Sequence, residues 1–192
     1  MSVPVCNMIH LNLDPHPVLQ DFNSLWEQVE EDNNLIQGRN YRNHIATWYG
    51  DVDYAYTGVR HKAQRMPQKF KEIARHLESK LVYSVGYFNS LLINLYTGKG
   101  IARHSDDEPI FMENDGTVGA VATVSLGGTA IATINSKDPK CFRLGKNFNI
   151  KLKNGSCYLM PEGNFQNEYT HQVSKPDALN PRRISLTFRH IP

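Results

Sequence analysis

The sequence predicts an α+β domain in which helices come first and an antiparallel sandwich or barrel occupies the C-terminal half. Three observations carry this: two stretches of helical apolar period before residue 82, a change to period two after it, and turn signals that cut the remainder into strand lengths. The chain has 192 residues, 40% hydrophobic and 21% charged, enough apolar material for a core of ordinary size. The first helix is expected at 18–29, where Val18, Leu19, Phe22, Leu25, Trp26 and Val29 recur at helical spacing with acids between them. A second is announced by Pro67, followed by Phe70, Ile73, Ala74, Leu77 and Leu81 on one stripe. Strands are expected at 87–96, 118–126, 129–135, 147–152, 156–160 and 183–189, separated by Asn114-Asp115-Gly116, Gly127-Gly128 and Asn154-Gly155. No repeat or linker divides the chain, so residues 1–192 are expected to form one domain, with helices and a lid over 1–80 and a β core over 81–192.

Composition excludes several classes. No segment approaches the roughly 18 apolar residues of a membrane helix, and the N-terminus lacks the pattern of a secretory signal. Three cysteines, Cys6, Cys141 and Cys157, without a CxxC pair argue against a disulfide framework or thiolate zinc site and for a reducing, cytoplasmic setting. Charge is segregated. Residues 1–35 hold six acids and no Lys or Arg, 36–80 nine basic and four acidic residues, 81–136 two and five, and 137–192 ten and four. Two basic segments around an acidic centre suit a polyanionic partner and a cation site.

The acidic centre contains His104-Ser105-Asp106. On an extended backbone side chains two apart leave the same face, so the imidazole and carboxylate can share one ion. His171, in EYTHQVSK, would complete a 2-His-1-carboxylate iron(II) site with open coordination positions. Zinc hydrolysis through the same ligands is an alternative, but it has no use for a second set of residues. In RRISLTFR the six-residue spacing puts Arg183 and Arg189 on one strand face, with Ile184, Leu186 and Phe188 on the other. Two guanidiniums on one face can take the two carboxylates of a short dicarboxylic acid. Upstream, Leu92, Asn94 and Tyr96 share a face, so an amide and a phenol point together. Trp48, Tyr49, Tyr54 and Tyr56 lie within nine residues, where an exposed lid could stack an unpaired base, or where each could simply pack the core.

From about Ala46 onward these motifs resemble the AlkB-like iron(II) and 2-oxoglutarate dioxygenases. ATWYGDVDYAYTG resembles the family's substrate lid. FNSLLINLYTGKGIARHSDDE is similar to its Asn-x-Tyr strand followed by HxD and an acidic pair, EYTHQVSK to the segment of its second histidine, and PRRISLTFR to its Arg-x5-Arg strand. The resemblance implies a double-stranded β-helix, or jelly-roll, core with N-terminal helices packed on one sheet. It makes His104, Asp106 and His171 iron ligands and catalytic residues, and Asn94, Tyr96, Arg183 and Arg189 the contacts of 2-oxoglutarate. Ser185 stands where many members have Asn, at a cosubstrate position. Trp48, Tyr54, Tyr56, Asp107 and Glu108 become substrate contacts, Glu108 against a cationic base and Asp107 orienting Arg103. The implied reaction consumes O2 and 2-oxoglutarate and removes methyl groups from 1-methyladenine or 3-methylcytosine as formaldehyde, on RNA or single-stranded DNA, since no wedge for duplex is evident. N6-methyladenine in RNA, or a non-catalytic RNA-binding module with a vestigial metal site, are the alternatives. Arg39, Arg42, Arg60, Lys62, Arg65 and the C-terminal basic block are candidate phosphate contacts. The length resembles both AlkB-like domains within plant RNA virus replicases, for which the setting would be host cytoplasm, and small bacterial members of the family, and the sequence does not choose between them. A monomer without membrane attachment is expected.

Overall fold

In the computed structural model, residues 9–13, 21–34, 45–56, 59–138 and 147–192 are described. Helix α1 (Phe22–Asn34) starts later than the apolar pattern suggests and runs on through the acidic stretch; Val18 to Gln20 lie outside the described residues. Its start is set by Asp21, whose Oδ1 accepts the Ser24 N–H at 3.1 Å, an N-cap ahead of the first turn. Helix α2 (Gln68–Leu81) follows Pro67 and buries the anticipated stripe Phe70, Ile73, Ala74, Leu77 and Leu81.

Six strands form the larger sheet, in the order β1 (Ile9–Asn12), β10 (Ser156–Met160), β7 (Val121–Gly127), β12 (Arg182–Arg189), β5 (Ser90–Thr97) and β2 (Ile45–Tyr49), all antiparallel. The smaller sheet has the order β6 (Ile101–His104), β11 (Tyr169–Val173), β8 (Ala130–Ser136), β9 (Asn147–Leu152). A separate hairpin pairs β3 (Tyr54–Tyr56) with β4 (Val59–His61). A short 3-10 turn (Pro109–Phe111) and a one-turn helix α3 (Phe165–Glu168) complete the described elements. The N-terminal part thus supplies two strands, β1 and β2, to the main sheet as well as helices and hairpin. Period two does not announce them, because β2, Ile-Ala-Thr-Trp-Tyr, is buried at four of five positions and β1 is only four residues long. Among the described residues no helix is long and apolar enough to cross a membrane.

Among the described residues, three apolar clusters hold the layers together. Both helices pack on one face of the larger sheet, against Leu91, Ile93, Leu95, Val124, Leu186 and Phe188. The other face meets the smaller sheet through Val121, Tyr158 and Met160 against Ala132, Ile134, Ile150 and Leu152. A third cluster, Ala46, Trp48, Tyr54, Leu92, Phe111 and Val118, closes one end. Alternation in β5 and β12 therefore divides each strand between a helix-facing apolar row and a row facing the space between the sheets.

Candidate metal centre

The central strand β12 is hydrogen-bonded on both sides, to β5 and β7, so Arg183 and Arg189 are not charges on a sheet edge. Their side chains enter the inter-sheet space with 2% and 4% of their surface exposed. Asn94 lies opposite Ser185, and Tyr96 opposite Arg183, on the neighbouring strand. From β7, Thr123 joins the same lining and Ser125 meets Arg183; they occupy the alternate positions to Ala122, Val124 and Leu126, a polar row legible in the period-two pattern of 118–126 that sequence reasoning passed over.

His104 ends β6 and sits directly across from His171 of β11, with ring centroids 4.1 Å apart. Asp106 lies beyond the end of β6 and does not continue the strand; its backbone N–H donates to Gln166 Oε1 (3.0 Å), and Gln166 is itself buried in α3. One ligand atom from each of His104, Asp106 and His171 lies within 4.8 Å of the others. Two imidazoles and one carboxylate at this separation are a donor set for one divalent ion. His104 Nδ1 is 2.8 Å from Ala102 O, and a carbonyl can only accept, so Nδ1 carries a proton and Nε2, 3.6 Å from Asp106 Oδ1, is the nitrogen that can ligate.

The electrostatics keep the set ready for a cation. Burial pushes the His171 imidazole down to about 4, so it is neutral at pH 7, the form that can ligate. Burial also works against the Asp106 carboxylate, but the Arg189 guanidinium, with His171 and His104 behind it, outweighs burial and holds the carboxyl well below its usual range. The pair Arg189 Nη2–Asp106 Oδ2 is 3.0 Å long. Arg189, which the sequence reading assigned to a ligand carboxylate, is therefore occupied on one side by Asp106. Among the described residues its buried Nε and Nη1 find no hydrogen-bond partner, nor do Arg183 Nη2, Asn94 Oδ1 and His171 Nδ1. Arg183 Nε donates to Ser125 Oγ (2.9 Å), and its guanidinium lies over the Tyr96 ring, 5.2 Å from the centroid. Ser185 Oγ is 3.4 Å from Thr187 Oγ1. Buried donors without partners are costly, about 1–3 kcal/mol each, so the unpaired guanidinium N–H groups of Arg183 and Arg189 beside a metal-competent triad are what a bound dicarboxylate would satisfy.

The substrate side departs from expectation. Trp48 and Tyr54 are fully buried and do not form an exposed stacking lid. Trp48 packs on Tyr54 at 4.6 Å between centroids and donates its Nε1–H to Val52 O (2.9 Å). Tyr54 belongs to the closing cluster and donates its hydroxyl to Glu108 Oε1 (2.7 Å). Tyr49 faces the helices, against Phe70; the Tyr56 side chain lies outside the described residues. Aromatic content alone could not separate these cases, because β2 buries both faces. Asp107 pairs with Lys137 (3.4 Å) instead of Arg103, whose guanidinium donates to Asn135 Oδ1 (3.4 Å). Glu108 follows Asp106 by two positions, and its Oε2 is buried and lacks a hydrogen-bond partner among the described residues. Arg60 and Lys62 pair with Asp53, and Arg39 and Arg42 lie outside the described residues.

Comparison with known proteins meets this geometry from the other side. A family model described as 2OG-Fe(II) oxygenase superfamily matches residues 8–189. The chain belongs to that superfamily. Within it the chain is AlkB-like: it is 29% identical over 176 residues to the rat "Alpha-ketoglutarate-dependent dioxygenase alkB homolog 3", covering 86% of this chain and 55% of the relative. It is 35% identical over 137 residues to the "RNA replication polyprotein" of Apple stem pitting virus (isolate PA66), covering 71% of this chain and 5% of the polyprotein. The chain thus spans about half of the first relative and a small part of the second. The solved structure of OsALKBH1 superposes with a TM-score of 0.56 at 18% identity, over 98% of this chain and all of that one, which supports the jelly-roll fold. An AlkB-like 2OG-Fe(II) oxygenase implies Fe(II), 2-oxoglutarate and O2, and a His-Asp-His site is present to meet them.

Proposed function

We propose that the protein oxidatively demethylates N-alkylated bases, 1-methyladenine and 3-methylcytosine, in RNA or single-stranded DNA, with His104, Asp106 and His171 holding iron(II). The bound iron, 2-oxoglutarate and O2 together supply the oxidising power; the chain's own residues bind, orient and exclude water. Arg183, with Asn94, Tyr96 and the free edge of Arg189, grips the dicarboxylate, and Ser185 and Thr187 complete the wall. Hydroxylation of the N-methyl group gives a hemiaminal that breaks to formaldehyde and the unmodified base.

The observation that carries the choice of substrate is Glu108. Its carboxylate is tethered through one oxygen to the buried Tyr54 hydroxyl, and the other oxygen is desolvated and unpartnered two residues from Asp106. An acceptor held in this way favours a ring made cationic by alkylation at adenine N1 or cytosine N3 over its neutral counterpart. N6-methyladenine is neutral and gains nothing from it. The identity of the viral relative as an RNA replication polyprotein supports RNA as the polymer.

The test is to incubate the protein with iron(II), ascorbate and 2-oxoglutarate and follow a panel of methylated oligonucleotides by mass spectrometry. Loss of one methylene mass per methyl group, with formaldehyde release and abolition by chelator, is expected for 1-methyladenine and 3-methylcytosine in single strands. In Glu108→Gln the advantage of these cationic bases over N6-methyladenine should shrink by about tenfold, the value of one such charge contact. Faster action on N6-methyladenine, on duplex, or on none of the panel would refute this reading.

A further inference from the structure

A groove of about 540 Å³ lies outside the metal centre, between α2, the chain leaving the β3–β4 hairpin and the loop before β5. Its walls carry three cations, Arg65, Lys71 and Arg75, and none of them is ion-paired with a described acid. Lys71 and Arg75 stand one turn apart on α2, a like-charge pair that weakens a helix unless an anion shares it. The obvious neutraliser is turned away. Glu78 lines the same groove, but its two carboxylate oxygens accept the backbone N–H groups of Gly86 and Phe88 (3.1 and 2.9 Å), which leaves Asp51 as the one other acid in the lining. The hairpin's own cations differ in this respect, since Arg60 and Lys62 both sit on Asp53.

Position relates the groove to the centre. Gly50, at the end of β2, bridges to Gln64 as the chain returns from the hairpin that carries Tyr54, and both residues line the groove. Asn89, also in the lining, precedes Ser90, which pairs with Arg189 in the sheet register. The groove thus opens at the same end of the central sheet as the Arg189–Asp106 pair.

We propose that this groove binds the phosphodiester backbone of single-stranded nucleic acid flanking the base that enters the metal centre, with Arg65, Lys71 and Arg75 as the phosphate contacts. The proposal deepens the nucleic-acid reading above and rests on it for the identity of the polymer. Two or three cations along a groove match successive phosphates of an extended strand, and contacts of that kind release counterions and make binding fall with salt.

The experiment measures binding without turnover: fluorescence anisotropy of an unmethylated, labelled single strand of about a dozen nucleotides, titrated at several salt concentrations. Lys71→Ala/Arg75→Ala is compared with Lys80→Ala/Lys99→Ala, which removes the same charge outside the groove. The expected result for the groove variant is binding weaker by about tenfold or more at low salt, and a log–log salt slope shallower by about 1.4, two single-strand phosphate contacts. The control should match the unaltered protein. Equal affinity in the two double variants, no binding of single strands by the unaltered protein, or full displacement of the strand by millimolar inorganic phosphate would overturn the proposal, the last by making the groove a small-anion site. Because no methylated base or cosubstrate is present, loss of the demethylation reading would show in the mass-spectrometric panel and not here.

Discussion

The two faces of β12 are built to opposite ends. Ile184, Leu186 and Phe188 disappear into the helix-facing core with no exposed surface at all. One residue away in each direction, Arg183, Ser185, Thr187 and Arg189 are almost as deeply buried, yet that face keeps polar atoms without partners. A face selected for stability alone would not retain an unpaired guanidinium edge and an unpaired amide oxygen in the same cavity. The contrast separates what holds the fold from what waits for a ligand.

The contrast breaks most visibly if the helix-facing row proves dispensable. Phe188→Ala should cost about 3–5 kcal/mol and lower the melting temperature by roughly 10 °C, read by circular dichroism, because the cavity left beneath α2 has no way to collapse. A melt within a degree of the parent would mean that this face does not carry the fold.

Between the two extremes stands Gly100, where β6 approaches β11. A Cβ there would lie 2.1 Å from Val173 O, a contact only backbone movement can relieve. Since β6 carries His104 toward His171, Gly100→Ala should weaken iron(II) affinity by about 10–100-fold, as disturbing a ligand's support does, while the melt of the helix-facing core moves little. Unchanged affinity by calorimetric titration would show that the strand spacing does not position the histidine.

The smallest effect has the opposite sign. Asn94→Leu keeps the number and branching of side-chain heavy atoms while removing a buried, unpartnered amide oxygen and the amide donor, so stability should rise by about 1 kcal/mol while 2-oxoglutarate affinity falls. A loss of stability in the thermal melt would mean that Asn94 is held by the fold and is not reserved for a ligand.

How much of this was legible in the sequence follows the same division. Alternation made both rows of β12 readable, and with them the inward Arg183 and Arg189, because one face is apolar and the other charged. His104, Asp106 and His171 could be chosen by donor chemistry. That Asp106 would stand off the strand end, held by Gln166 from α3, could not, because a one-turn helix leaves no periodic signal and its contact spans 60 positions. The Arg189–Asp106 pair was hidden for the same reason: long-range contacts between charged residues leave no local pattern. The burial of Trp48 was hidden because a strand buried on both faces looks, over five residues, like an aromatic loop, and that of Tyr54 because its partners Phe111 and Glu108 are distant in sequence. The groove was visible only as Arg65, since Lys71 and Arg75 read as the solvated face of an amphipathic helix.

The most direct test of the central claim is anaerobic titration of the protein with iron(II) and 2-oxoglutarate, followed by visible absorption, in the unaltered chain and in His171→Ala. The account predicts a metal-to-ligand charge-transfer band that saturates at one iron per chain and is lost in His171→Ala, whose thermal melt stays close to the parent's. A parent chain that gives no band, or a band that survives the substitution, would contradict it.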